Sequence, residues 1–265
     1  MTEIIKARNI TVDIRKKQIL NGISINVEKG KIYSIIGPNG SGKTTLLRVI
    51  SRNLKPVQGE VLLNGQNVHR MNTKKTAKTM AVLTQVHSGM NDVTVRQLIS
   101  YGRFAHRDWW KAKDSKDTEI IDDCIEKTGL ERFSERKIST LSGGERQRAW
   151  IAMSLAQKPQ ILILDEPTTF LDISHQLEVL ELVTRLNKDE NITILMVLHD
   201  INHAARYSDE LIVIKEGKVY ANGVPSQVLT PAIFREVFNV EADISQNGED
   251  SKPYFYAKCV LKEEK

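Results

Sequence analysis

Gly37-Pro38-Asn39-Gly40-Ser41-Gly42-Lys43-Thr44-Thr45 decides the fold. It lies between an apolar run, Ile32–Ile36, and a segment, Thr44–Ser51, that carries Leu46, Leu47 and Ile50 at helical spacing. This is the G-x-x-x-x-G-K-[ST] pattern in the setting its mechanism needs, a strand before and a helix after. The glycines let backbone N–H groups converge on an anion, and the helix N-terminus adds positive potential. Lys43 is expected to reach the β- and γ-phosphates of a bound triphosphate. Thr44 is expected to offer its hydroxyl to Mg²⁺, and Thr45 to contact the α-phosphate.

Outward from this loop the chain alternates. Ile4–Ile14 and Ile19–Val27 read as strands, Glu60–Leu63 as a strand ending in the hairpin pair Asn64-Gly65, and Ala81–Thr84 as another strand. From about Thr94 to Gln157 the pattern turns helical. Val95–Tyr101, Thr118–Thr128 and Glu145–Gln157 are predicted helices, with a loop over Phe104–Lys116. Strands then resume at Ile161–Leu164 and Ile192–Leu198, around a helix at Ser174–Asn187. A hairpin around Glu216-Gly217 and short helices near Ser226 and at Pro231–Phe238 follow. Glu241–Lys265 is polar, with one strand at Tyr254–Leu261. Alternating strands and helices call for a mostly parallel sheet, and the helical stretch for an inserted subdomain.

Ile161-Leu-Ile-Leu164 ends in Asp165-Glu166-Pro167. An apolar strand thus delivers two acids to the carboxyl edge of the sheet, where ligands of open α/β sheets bind. Adjacent carboxylates repel unless a cation or a proton relieves them. Beside a phosphate loop the first acid holds the metal, which assigns Asp165. Glu166 is then available to accept a proton from an attacking water.

A second glycine run, Leu141-Ser142-Gly143-Gly144-Glu145, supports two readings. Ser142 with Glu145 three residues on is a capping box, which needs no ligand. Two glycines at a helix start also make a second phosphate site.

Composition bounds the rest. The 265 residues are 40% hydrophobic and 27% charged, as expected for a globular protein of one large or two small domains. No apolar run approaches the ~20 residues of a membrane span, and the N-terminus has no signal-peptide core. The chain is therefore expected in the cytoplasm unless a partner holds it at a membrane. Cys124 and Cys259 have no metal or redox spacing and read as reduced packing residues. The net charge is +5, but no run of five basic residues occurs, so surface lysine accounts for it and no nucleic-acid partner is expected.

With these motifs in place the sequence resembles the ABC ATPase family. Leu141–Arg148 matches the family's LSGGxxQR signature. The order also agrees: phosphate loop at Gly37, glutamine at Gln85, signature at Leu141, acidic strand at Ile161, then Leu171-Asp172 and His199. The resemblance runs from Ile4 to Val240. It implies an α/β fold with a P-loop NTPase (RecA-like) core, an antiparallel β portion and an inserted α-helical subdomain. The nucleotide-binding domain would span 1–240, with the helical subdomain at about 88–158 and a tail over 241–265. It also implies ATP hydrolysis by a homodimer, in which Ser142, Gly143 and Gly144 of one subunit bind the γ-phosphate held by the other. Gln85 would contact Mg²⁺ or the attacking water, Asp172 would lie at the dimer seam, and His199 would contact the γ-phosphate and hold Glu166. His69, His87, His106, His175 and His203 match no family role and read as structural or surface residues. Where the family often places an adenine-stacking aromatic residue this chain has Ile14, with Arg15 or Lys16 available as a cation–π partner.

Thr94–His106, Thr168–Leu182 and Val197–Tyr207 are similar to importers of ferric siderophores, haem or cobalamin. That implies a peripheral ATPase on the cytoplasmic face of the bacterial membrane, under a permease dimer served indirectly by an extracellular substrate-binding protein. Tyr101, Phe104 and Arg107 are candidates for the groove that receives the permease. Two other functions compete. A non-transport ABC ATPase of iron–sulfur assembly or nucleic-acid work would bring soluble partners or nucleic acid. A non-hydrolysing regulator is disfavoured by the presence of Glu166 and His199.

Overall fold

The computed structural model describes residues 2–84, 90, 92–106, 115–246 and 252–261. It divides into two compact units, Met1–His69 with Leu195–Lys265, and Arg70–Ile194.

In the first unit β1 (Glu3–Ile14) and β2 (Lys17–Glu28) form an antiparallel hairpin. Its two-residue turn, Arg15-Lys16, has φ of 49° and 66°, the primed geometry that matches strand twist. β2 alternates buried and exposed residues over most of its length, as a strand with one wet face does. β3 (Ile32–Ile36) is buried at all five positions, as a strand covered on both faces must be. α1 (Lys43–Ile50) follows, burying Leu46, Leu47, Val49 and Ile50. β4 (Gln58–Leu63) and β5 (Gln66–Asn67) complete an antiparallel sheet in the order β2-β1-β4-β5.

The second unit opens with α2 (Thr73–Thr79) and β6 (Met80–Leu83). α3 (Val95–Tyr101), α4 (Ser115–Lys127) and α5 (Gly143–Leu155) come next. β7 (Ile161–Asp165) pairs with β6 in parallel, from Met80↔Ile161 to Leu83↔Leu164. α6 (Ile173–Glu190) follows and ends at Asn191 in the left-handed conformation. α5 is the hub, packing on α3, α4 and α6. Gly102 lets α5 approach closely, since a Cβ there would lie 2.1 Å from the Met153 carbonyl oxygen. A buried ion pair joins Arg103 Nε to Asp117 Oδ1 at 2.8 Å, and Arg103 Nη1 donates to the Ala156 carbonyl at 2.7 Å. His106 Nε2 lies 2.8 Å from the Gln157 carbonyl.

β8 (Thr193–Val197) carries the chain back into the first unit. α7 (Ile201–Tyr207), β9 (Glu210–Lys215) and β10 (Lys218–Gly223) follow, then α8 (Pro225–Val228) and α9 (Pro231–Phe238). β9 runs parallel to β3 and antiparallel to β10. The polar end holds two strands where one was expected. β11 (Val240–Gln246) and β12 (Pro253–Val260) form an antiparallel hairpin. A lone hairpin is marginal in water, so it needs a support. The Phe255 ring lies 4.4 Å from that of Phe234, which is 1% exposed. The Asn202 amide brackets the Phe255 backbone, accepting from its N–H at 2.9 Å and donating to its carbonyl at 3.2 Å. Cys124 fits its expected packing role: burial pushes its thiol up to about 12. Cys259 does not, because it is exposed on β12.

Candidate functional site

The phosphate loop leaves the end of β3 and enters α1 within the first unit. Gly37 has φ 151° and no room for a side chain, since a Cβ would sit 2.1 Å from the Ile214 carbonyl oxygen. Gly42, the N-cap of α1, has φ 106° and no side-chain cap. Lys43 is 6% exposed, and its ammonium donates to the Gly37 carbonyl at 2.8 Å and the Pro38 carbonyl at 2.9 Å. A buried ammonium needs such acceptors. The Ser41 carbonyl accepts from the Gly217 N–H at 3.0 Å, and the Gly217 carbonyl accepts from the Asn21 N–H at 2.8 Å, so β2 and the β9–β10 turn brace the loop. The buried Ser41 Oγ has no hydrogen-bond partner among the described residues. Buried polar atoms are seldom left so, and a phosphate oxygen would satisfy it. Asn39 and Gly40 are exposed at the tip, while Pro38, Thr44 and Thr45 are half-buried.

His199 follows β8 as Gly37 follows β3. The Leu198 N–H donates to the Ile35 carbonyl at 3.4 Å, so both residues emerge beside one another at neighbouring strand ends. His199 is exposed there. Ile14 ends β1 opposite Lys17 and is 39% exposed, directly before the Arg15-Lys16 turn.

In the second unit β7 delivers Asp165 and Glu166, both half-buried. Glu166 has φ 55°, a left-handed conformation uncommon for a side-chain-bearing residue, costing on the order of 1–3 kcal/mol. Thr169 secures it, its hydroxyl donating to Glu166 Oε2 at 3.2 Å and its N–H to the Glu166 carbonyl at 3.3 Å. Four residues on, Phe170 is 94% exposed with φ 65°, adjoining Leu171 and Asp172.

α5 starts as the capping box predicts. Glu145 N–H donates to Ser142 Oγ at 3.2 Å, and Ser142 N–H donates to Glu145 Oε2 at 2.8 Å. Gly143 faces Leu171, and Gly144 faces His175. Asp172 caps α6: its Oδ1 accepts from the His175 N–H at 3.0 Å and the Ser174 hydroxyl at 3.0 Å, and lies 2.7 Å from His175 Nδ1. The His175 N–H, then the Ser174 hydroxyl, hold the Asp172 carboxyl below its ordinary range. The second unit therefore brings the signature run and Asp172 together, and adds His175, which the sequence reading set aside. The available signal was the Asp-x-x-His spacing after a turn, an N-cap with a polar residue at its third position.

Gln85 and Arg107 lie outside the described residues. Tyr101 and Phe104 stack with ring centroids 5.5 Å apart and planes 7° from parallel, and Phe104 is 60% exposed.

The family model described as ABC transporter matches residues 20–169, which take in the phosphate loop, the signature and the acidic strand end. The chain belongs to the ABC transporter family. This ABC ATPase has the α/β cassette fold, with a mostly parallel sheet, an antiparallel sheet and a helical portion. It is 49% identical to the petrobactin import ATP-binding protein FpuC of Bacillus anthracis, over 92% of this chain and 89% of that protein. It is 46% identical to the iron(3+)-hydroxamate import ATP-binding protein FhuC of Bacillus subtilis, over 93% of this chain and 92% of that protein. A solved dimeric cassette of a bacterial ABC transporter matches with TM-score 0.73 and 29% identity, over 83% of this chain and 98% of that one. No described helix of this ABC ATPase is long and apolar enough to cross a membrane.

Proposed function

We propose that this chain is the ATP-hydrolysing subunit of a bacterial iron-chelate importer. It works as a homodimer on the cytoplasmic face of the membrane, under a separate permease dimer supplied by an extracellular binding protein. The observation that carries iron-chelate import is the 49% identity, across nearly the whole chain, to a petrobactin import subunit. The Tyr101–Phe104 stack, exposed at Phe104, falls in the helical subdomain proposed at about 88–158 and supports a permease-facing role there.

The chemistry follows from the site. ATP phosphates fill the loop from Gly37 to Thr45, where Ser41 Oγ gains the partner it lacks. Lys43 shifts from the loop carbonyls toward the β- and γ-phosphates. The oxygen donors Thr44 and Asp165, with Gln85, suit Mg²⁺, a hard ion that takes oxygen ligands and offsets phosphate charge. Water attacks the γ-phosphorus in line as Glu166 accepts its proton. The bond to the bridging oxygen breaks, leaving ADP and phosphate. The strained backbone at Glu166 and the Thr169 hydroxyl fix the direction of that carboxylate. His199, at a strand end beside the loop, would contact the γ-phosphate. Ile14 borders the adenine, and Ser142–Gly144 of the second copy close over the γ-phosphate.

Two measurements test this. Glu166→Gln should lower kcat by about a thousandfold while ATP binding persists; normal turnover would remove Glu166 from the reaction. Tagged protein extracted from membranes should bring down a polytopic membrane protein, and the reconstituted pair should import a ferric siderophore. Capture of nucleic acid or of soluble iron–sulfur assembly proteins instead would favour an ABC ATPase outside transport.

A further inference from the structure

We propose that His175 is a positioning residue: it joins Asp172 and the signature glycine Gly144 into one rigid piece, so the surface offered to a second copy's nucleotide is built before the copies meet. The inference rests on reading Ser142–Gly144 as a phosphate site used in trans.

Two contacts carry it. A Cβ placed on Gly144 would lie 2.2 Å from Cδ2, 2.6 Å from Cγ and 2.9 Å from Cβ of His175, so the imidazole occupies the space a side chain at 144 would need. On its other side Nδ1 lies 2.7 Å from Asp172 Oδ1. With its proton on Nδ1 the ring donates to that carboxylate. Capping of α6 needs only the backbone N–H of His175, which is already in place at 3.0 Å. The imidazole bond is additional, and it fixes the ring that packs against Gly144 at the start of α5. One turn further along both helices, Arg148 pairs with Glu178. α5 and α6 are thus tied at two successive levels, and the level nearer the N-termini runs through His175. His175 is half-buried, whereas Asp172, Phe170 and Ile173 are open to a partner. The histidine therefore acts through these neighbours and needs no contact with nucleotide.

The test uses the full chain carrying Glu166→Gln, which should bind ATP without consuming it, and reads ATP-driven dimer formation by size exclusion with light scattering. Adding His175→Ala should raise the protein concentration for half-dimerisation by roughly tenfold, the loss expected for a hydrogen bond to a charged group. Binding of a fluorescent ATP analogue to the monomer should change by less than about twofold, since on this reading the signature meets nucleotide only in trans. His175→Asn keeps a donor near the Nδ1 position and a planar group beside Gly144, and should restore dimer formation. His175→Phe keeps the ring without the donor and should not. If the Ala variant does not fold, the contrast between Asn and Phe decides the question. Dimerisation of the Ala variant at the parent's concentration, or an Asn variant no better than Phe, would overturn the role of His175. A parent that stays monomeric with ATP and Mg²⁺ would instead refute the trans reading beneath it.

Discussion

α1 and α5 both begin at a glycine run, yet their N-termini are finished differently. α1 has Gly42 as N-cap, with no side-chain cap, and the buried Ser41 Oγ just before it lacks a partner among the described residues. α5 has Ser142 as N-cap, and the reciprocal Ser142–Glu145 bonds serve the backbone N–H groups of those two residues. At the first helix start a buried hydroxyl awaits a partner, and at the second the side chains of Ser142 and Glu145 serve the N–H groups at either end of the glycine pair. Glycine content alone therefore does not distinguish the two helix starts. What matters is whether the donors there already have acceptors. The contrast fits a division of labour, with one segment holding nucleotide in the monomer and the other engaging it only when a second copy presents it.

The largest break in this contrast would come from Lys43→Ala. It removes the cation that clasps the loop carbonyls and that the proposed mechanism turns toward the phosphates, and should lower ATP turnover by about a thousandfold. Phosphate release near the parent rate would erase the distinction. Ser142→Ala tests the other side. It should cost about 1 kcal/mol, a fall of roughly 2–4 °C in Tm, through loss of the cap. Nucleotide binding to the monomer should stay where it was; a drop there would mean that the signature acts in cis. Ile14→Tyr sharpens the first side, lowering the KM for ATP by a few-fold through ring stacking, and an unchanged KM would place adenine elsewhere. The smallest effect concerns pH. The folded-state pKa of Asp172 is depressed below 3.8, so its stabilisation is present above that value and fades as pH falls through the lowered one. Thermal melts across acidic pH should show this in the parent and not in Asp172→Asn, which keeps a capping oxygen.

The phosphate loop was legible because its chemistry is local: a strand, nine residues and a helix follow one another in the chain. The capping box at Ser142 was legible for the same reason. His175 was not, because its meaning depends on Gly144, which approaches it only after α5 and α6 pack. α2 escaped notice because Thr73–Thr79 has no apolar stripe, and Thr76 is its one buried residue. β11 was hidden by polarity. In that hairpin Phe255 meets Phe234 and the Asn202 amide supplies backbone partners, neither of which a period-2 pattern reports. The exposure of Cys259 illustrates a limit of composition, which counts thiols without placing them.

The bond between Arg103 and Asp117, backed by the Ala156 carbonyl, fastens the chain on both sides of residues 107–114. Closing a longer loop costs only about 0.6 kcal/mol per doubling of its length. The ends of α3 and α4 are thereby held by their own contacts, whatever chain length is placed between Arg103 and Asp117. A chain with a few residues inserted between these two should therefore melt near the parent temperature, and loss of the fold would show that the clasp does not suffice.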